Sequence, residues 1–249
     1  MTYLPHVIVT AGGASEPIDA VRSWGNPFTG RTGMAIANAV REFADVTLLL
    51  AQSATPAYET SDHLLGTLTL RSFTTSAELA AQLKELIVTR PAAVFMTAAV
   101  SDYRPVRVVK IVDEQSADSI HPKRYRWTVE EVGGSKIKSD YDQIAILGVR
   151  NPKIVDLLRQ EWGYGGLIYK FKLEAGITEQ ELIKIASASR LASKAEVMVA
   201  NTLDMVDDQT GGAWILDDTG CRRVERAQLA GELADDLKRR LAGVPNLQV

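Results

Sequence analysis

The sequence predicts an α/β fold: a doubly wound, mostly parallel sheet of the Rossmann-like kind that carries one β excursion. Three observations predict it. The chain opens with a short apolar run, Val7-Ile8-Val9, broken by Thr10-Ala11-Gly12-Gly13, and turns helical from Met34, where Met34, Ile36, Ala37, Val40 and Phe43 recur at helical spacing. Strand-length apolar runs then alternate with amphipathic helices along most of the chain. Between about 106 and 146 that rhythm stops and strand-like patches surround a charged middle. Residues 1–249 therefore read as a single domain with a β excursion, a flap or arm, at about 106–146.

The elements follow in order. Between the glycine turn and the first helix lies a long polar loop with Glu16, Asp19, Arg22 and Asn26, closed by Gly30-Arg31-Thr32-Gly33. It is too long for the tight GxGxxG dinucleotide fingerprint. The physical logic is shared: glycines let backbone approach a phosphate, and the N–H groups at a helix start face the anion. Asp45–Leu50 reads as the second buried strand, Ala51–Ser61 as a loop and Leu68–Phe73 as a short strand. Ser76 offers an N-cap for a helix over 77–88, with Leu79, Leu83, Leu86 and Ile87 on one face, ended by Pro91. Ala92–Met96 is the next core strand and runs into the small residues Thr97–Ser101, the place where a parallel sheet puts ligand contacts. Beyond the excursion, Asn151-Pro152 starts a helix through Glu161, and Leu167–Leu173 is a strand. Thr178 caps a helix over 179–193, with Glu181 completing a capping box. Glu196–Ala200 is a strand ending in Asn201, Asp217–Gly220 turns a hairpin, and Ala227–Leu241 is a last amphipathic helix.

Composition narrows the function classes. An apolar content of 46% with 24% charged residues is that of a soluble globular protein with a sizeable core. A formal net charge of −3 argues against nucleic acid as a partner, while leaving room for a local basic pocket. One cysteine, Cys221, excludes an internal disulfide and fits a reducing cytoplasm, which is the expected location. No apolar run approaches the roughly 20 residues of a membrane helix, so no membrane association is expected. His6, His63 and His121 are scattered, without metal-ligand spacing, and read as structural.

Parallel strands share one C-terminal edge, so the opening loop, Ala98–Asp102 and Lys136 converge on one chemical site. Such a site offers amides for phosphates, an amide side chain for a carbonyl and a lysine for developing negative charge. Read alone, Asn26 before Pro27 is a turn residue, Lys136 after Gly133-Gly134-Ser135 a solvated lysine, Asp102 a local partner for Arg104, and Phe171 core.

The whole pattern resembles phosphopantothenate–cysteine ligase (phosphopantothenoylcysteine synthetase). The resemblance rests on Val9–Gly13 with Glu16-Pro17-Ile18-Asp19 and Val21-Arg22, then Asn26 and Gly30–Gly33. It continues through Ala98–Pro105, Lys136-Ile137-Lys138, Asn151–Val155, Phe171–Glu174 and Val199-Ala200-Asn201, in order over nearly the whole chain. With no flavin decarboxylase domain in these residues, the resemblance is to the free-standing bacterial form. It implies a ligase of coenzyme A biosynthesis that joins 4′-phosphopantothenate to L-cysteine through an acyl nucleotide, releasing pyrophosphate. It further implies Mg²⁺ and a nucleoside triphosphate as co-substrate, with CTP ahead of ATP. A homodimer is expected on separate grounds, because the excursion at about 106–146 cannot bury its apolar strand face alone. By match, Asn26 would hold the acyl intermediate and Lys136 would act on charge during turnover. Gly12, Gly13 and Gly30 would shape the phosphate-binding backbone. Ala98, Asp102, Pro152, Lys153, Ile154, Val155 and Phe171 fall at nucleotide contacts, and the metal ligands are unassigned.

The chain departs from that pattern in places. Pro27-Phe28-Thr29-Gly30 stands where two serines usually precede the glycine, and Arg31 replaces a common lysine. Lys170 stands where glycine is usual, Ser189 and Ser193 where two basic residues are common, and Thr202 where aspartate is usual. Two alternatives follow. One is a ligase-like module that binds nucleotide or metabolite without turnover. The other is a nicotinamide-dependent reductase, opposed by the lack of a Tyr-x-x-x-Lys pair and of an acidic residue after the second strand, where Ala51-Gln52 stand.

Overall fold

The structure is a computed structural model that describes residues 4–54, 65–116, 125–132, 135–206 and 211–243. Most of the loop expected at 51–61, together with His63, His121, Gly133 and Gly134, lies outside the described residues. The strands are β1 (His6–Ala11), β2 (Ser15–Pro17), β3 (Ser23–Gly25), β4 (Asp45–Ala51), β5 (Leu68–Phe73), β6 (Ala93–Met96), β7 (Tyr103–Ser116), β8 (Tyr125–Glu131), β9 (Ile144–Arg150), β10 (Leu167–Glu174), β11 (Val197–Thr202), β12 (Gly212–Asp217) and β13 (Gly220–Glu225). The helices are α1 (Arg31–Val40), α2 (Ser76–Ile87), α3 (Ile154–Gln160), α4 (Glu179–Ser193) and α5 (Leu229–Ala242), with a 3₁₀ turn at Leu203–Val206.

Eight strands form one sheet in the order β13-β12-β11-β10-β6-β1-β4-β5. From β5 to β11 every neighbour is parallel, and the β12–β13 hairpin closes one side antiparallel. This is the doubly wound, mostly parallel α/β sheet. Continuous apolar runs make it so, because a strand covered on both faces has no side to leave polar. Val7, Ile8, Val9, Leu48, Leu49, Val94 and Phe95 are all fully buried.

Strand β10 shows how the two faces are covered. Tyr169 donates its hydroxyl to Asp236 of α5 at 2.8 Å, while its neighbour Lys170 donates to the Ser189 carbonyl of α4 at 3.1 Å. Side chains alternate along a strand, so α5 and α4 lie on opposite faces. Arg240 also binds Asp236, at 2.7 Å, and Phe95 stacks on Tyr169 with ring centroids 4.1 Å apart. The capping box of α4 forms as expected, with Thr178 and Glu181 exchanging hydrogen bonds. At α2 the cap is Thr75, not Ser76: the Thr75 hydroxyl accepts from the Glu78 amide. Ser76 is free to turn inward because Glu16 accepts from both its amide and its hydroxyl.

Two features exceed the sequence reading. The opening loop contains a small hairpin, β2 paired with β3. The excursion is a separate three-stranded antiparallel sheet, β8-β7-β9, whose strands run from Tyr103 to Arg150. Its two ends are tied together beside the main sheet. The Asn151 amide donates to the Asp102 carbonyl at 2.8 Å, and its side chain donates to Ser101 and accepts from Arg104.

Candidate active site

The order of the main sheet reverses between β1 and β6, and that is where a doubly wound sheet opens a crevice at its C-terminal edge. A cavity of about 350 Å³ occupies it. Its wall combines Gly12 after β1, Pro27–Thr29, the first turn of α1, Thr97–Ala99 after β6, Phe171–Leu173 on β10 and Asn201 on β11.

The glycines follow from the geometry. Gly30 caps α1 at φ 82°, a left-handed conformation that other residues rarely hold, and no side chain caps the helix. The chain thus delivers the α1 N-terminus, with its partial positive charge, to the cavity. Gly13 serves by close approach. Its amide donates to the Phe28 carbonyl at 3.1 Å, and a Cβ there would lie 2.1 Å from the Asn26 carbonyl oxygen. The glycine turn therefore packs directly on the Asn26 backbone. Thr10 fixes the other wall by accepting from the Ala98 amide at 3.0 Å.

Three basic residues line the cavity: Arg31, Lys172 and Arg226. Arg226 donates to the Thr32 hydroxyl at 3.0 Å, and Lys172 pairs with Glu174 at 2.8 Å. An α1 N-terminus with this charge around it suits a phosphorylated ligand. Lys170, beside Lys172 in sequence, does not line the wall. Its ammonium donates to the Ser189 carbonyl and to the Ser193 hydroxyl at 3.2 Å, and burial lowers its pKa. The three departures at 170, 189 and 193 thus form one unit, a strand lysine seated between two helix serines.

Gly12, Gly30, Ala98 and Phe171 all meet in the cavity wall, with Gly13 directly behind it. Asn26, Lys136, Asp102 and Pro152–Val155 are not among the wall residues. Asn26 is half-buried at the edge of the opening loop, whereas Asp102 and Lys136 are exposed. Pro152 and Lys153 are exposed, Ile154 is core, and Val155 packs against that core. Thr97 lies in the small-residue run that the sequence marks for ligand contacts, whereas sequence reasoning did not single out Lys172 or Arg226. Arg226 carried no local signal, since only the packing of α5 beside α1 brings it to Thr32.

Asn26 and Lys136 are linked through the loop between β2 and β3. Asp19 Oδ1 accepts from the amides of Val21 and Arg22, and Oδ2 accepts from the Ile137 amide at 3.0 Å. The Ala20 amide donates to the Ser135 carbonyl at 2.9 Å. Arg22 binds Asp19 at 3.0 Å and reaches the Ile137 carbonyl at 3.3 Å. The Ile137 amide, then the Val21 amide, hold the Asp19 carboxyl down to a pKa of about 2.

Among the described residues no group of three or more His, Cys, Asp or Glu side chains could hold a metal ion. His6 is pinned to Thr47 at the start of β1, the opposite edge from the cavity, and Cys221 is exposed on β13. No helix among the described residues is long and apolar enough to cross a membrane.

Residues 4–119 match the family described as the DNA/pantothenate metabolism flavoprotein C-terminal domain. This match agrees with the ligase resemblance read from the sequence, and the free-standing form stays an expectation. The chain is 27% identical over 240 residues to the coenzyme A biosynthesis bifunctional protein CoaBC of Thermococcus kodakarensis, covering 94% of this chain and 51% of that protein. Over 103 residues it is 33% identical to the CoaBC protein of Mycobacterium tuberculosis, covering 41% of this chain and 23% of that protein. The chain thus spans about half the length, or less, of the curated relatives it matches. Among solved structures, the DNA/pantothenate metabolism flavoprotein from Streptococcus pneumoniae shares the fold at a TM-score of 0.75 and 24% identity, covering 96% of this chain and 98% of that one. A Cab2 variant in complex with phosphopantothenate-cysteine shares it at a TM-score of 0.67 and 16% identity, covering 95% and 86%.

Proposed function

We propose that this chain is a phosphopantothenate–cysteine ligase of coenzyme A biosynthesis. The observation that carries the reading is the cavity at the sheet's switch point, whose wall unites Gly12, Gly30, Ala98 and Phe171 with the start of α1 and with Arg31, Lys172 and Arg226. Kinship to the CoaBC proteins, and a shared fold with a protein crystallised with phosphopantothenate-cysteine, support the substrate pair.

In the first step the 4′-phosphopantothenate carboxylate attacks the α-phosphate of the nucleoside triphosphate, and the bond to pyrophosphate breaks. Two anions must meet, so the α1 N-terminus and the basic side chains of the wall lower the barrier by offsetting charge. In the second step the cysteine amine attacks the acyl carbonyl, loses a proton and expels the nucleoside monophosphate. Asn26, whose backbone is packed on Gly13, holds the acyl group for that attack. Lys136 acts on the charge that develops during turnover. CTP is carried ahead of ATP from the resemblance. Mg²⁺ is carried from the resemblance with no residue assigned to it, and would supply positive charge to offset the triphosphate.

The working form is a cytoplasmic homodimer. Every residue of β8 is exposed in the single chain, including Tyr125, Trp127 and Val129, which alternate onto one face of the three-stranded sheet. A second copy covers that face, and sedimentation velocity at micromolar concentration should return twice the chain mass. A monomer would contradict it.

The seating of Lys170 between Ser189 and Ser193 favours one competing reading, a nucleotide-binding module without turnover. Pyrophosphate release separates the two. Purified protein with 4′-phosphopantothenate, cysteine and Mg²⁺ should release pyrophosphate with CTP or ATP, and Asn26→Asp and Lys136→Gln should each slow turnover sharply to a measurable residual rate. Nucleotide binding without release would select the module.

A further inference from the structure

We propose that Asp19 is a positioning residue for Lys136, holding the segment that carries this lysine against the turn that leads to Asn26. The proposal rests on the ligase reading for what Lys136 does, and on hydrogen bonds alone for how it is held.

Lys136 is exposed and sits in the connection between β8 and β9, a place where a side chain has no reason to keep one position. Its two neighbours are fixed from outside. The Ser135 carbonyl accepts from the Ala20 amide, and the Ile137 amide donates to Asp19 Oδ2. The Ile137 carbonyl accepts from Arg22, and Ile137 as a residue is 5% exposed. The backbone is therefore tethered on both sides of Lys136, and the tethers come from a single turn, Asp19–Arg22.

That turn is itself rigid. Asp19 Oδ1 takes the Val21 and Arg22 amides at 2.8 and 2.7 Å, an Asx turn, and the Asp19 side chain is 3% exposed. Strand β3 follows at once and ends at Gly25, beside Asn26. One carboxylate thus sets the Asx turn with one oxygen and docks the lysine segment with the other. The consequence is a fixed distance between the backbones of Asn26 and Lys136, although the two are more than a hundred residues apart in sequence. Orientation of this kind is where catalytic groups gain most of their effect.

The chemistry supplies a selective test. Asp19→Asn keeps an oxygen for the Val21 and Arg22 amides, so the turn survives. Its amide NH₂ then faces the Ile137 N–H and the Arg22 guanidinium, donor against donors, and the dock is lost. Amide hydrogen exchange at Ile137 should quicken at least tenfold in Asp19→Asn, with the Val21 and Arg22 amides little changed. In steady-state pyrophosphate release kcat should fall at least tenfold, with KM for cysteine within about threefold. In a Lys136→Gln background, Asp19→Asn should produce no further fall, because the residue through which it acts is gone. An equal fall in both backgrounds, or no fall in either, would overturn the positioning role. If the unsubstituted protein releases no pyrophosphate, the ligase reading fails on its own, and the exchange measurement decides the dock. An Ile137 amide unprotected in the unsubstituted protein, or equally protected in Asp19→Asn, would overturn it.

Discussion

Adding one methyl group to Gly13 tests the link between the glycine turn and Asn26. A Cβ there would lie 2.1 Å from the Asn26 carbonyl oxygen and 3.1 Å from its carbonyl carbon, whereas ordinary contact begins at 3.4 Å. Relief needs a shift of about an ångström or more. Gly13 has little freedom to move, because its own carbonyl accepts from Ser53 and its amide is bonded to Phe28. The flanking Gly12 and Ala14 are both bonded to Ala99. The shift therefore falls on Asn26 and Phe28. Overpacking of this kind costs about 1–3 kcal/mol, which urea unfolding will read as a lower midpoint at constant slope. Displacing an orienting group by about 1 Å costs on the order of 100-fold in rate, so kcat for pyrophosphate release should fall far more than stability does. Gly165→Ala is the matched control: a Cβ there meets nothing within 4 Å, and both readouts should stay unchanged. A Gly13→Ala enzyme that keeps kcat within threefold would refute the claim that Gly13 sets the position of Asn26.

Other perturbations follow from the same geometry. Tyr169→Phe removes one of the partners of the buried Asp236 and should lower stability by about 1–2 kcal/mol in urea, with turnover unaffected. Lys170→Met removes a lysine whose charged form is disfavoured by burial. Ser193 keeps its own bond to the Ser189 carbonyl, so thermal melting should be unchanged or higher. Lys172→Met strips a cation from the cavity wall and should raise KM for the nucleotide several-fold, with melting within a degree or two. The Asp19 carboxyl, ordinarily near 3.8, should titrate by NMR at about 2. A carboxyl whose folded pKa is depressed stabilises the fold fully above its unfolded value. The contribution of Asp19 should thus be intact above about pH 4 and disappear as pH falls through about 2. A midpoint near 3.8 would contradict the dock to Ile137.

The fold was legible where physics is local. Apolar runs gave the buried strands, and Thr178 with Glu181 gave the start of α4, because a capping box needs only four consecutive residues. The cap of α2 was assigned to Ser76 and is Thr75, an error that Thr74-Thr75-Ser76 invites because each of these hydroxyls can serve. Tertiary contact decided it, when Glu16 claimed Ser76. The β2–β3 hairpin escaped notice because strands of three residues carry no period. The ends of the excursion were set too far in, since Tyr103–Pro105 and Gly148–Arg150 read as edges of the sheet domain until they pair with one another.

The site was legible in part. Glycines and small residues at strand ends mark a parallel sheet's crevice, so the opening loop and the strand end at Ala98 could be placed from order, while the resemblance assigned Gly12, Gly30 and Ala98 their roles. Arg226 could not, because its distance in sequence from Thr32 hides a contact made only by packing α5 beside α1. Lys170 was visible only as an oddity. The sequence put a lysine on a core strand and two serines on a helix, and nothing local says that one is the seat of the other. Asp19 stood in plain view as a loop acid, but its role needs the partner segment at Ser135–Ile137, a long-range contact that no local pattern encodes.

The most direct test of the central claim is product formation. The purified chain would be incubated with 4′-phosphopantothenate, L-cysteine, Mg²⁺ and either CTP or ATP, and the mixture read by mass spectrometry. The account predicts 4′-phosphopantothenoylcysteine with one pyrophosphate and one nucleoside monophosphate for each amide formed, and none when any one substrate is omitted. Bound nucleotide with no amide from either triphosphate would contradict it.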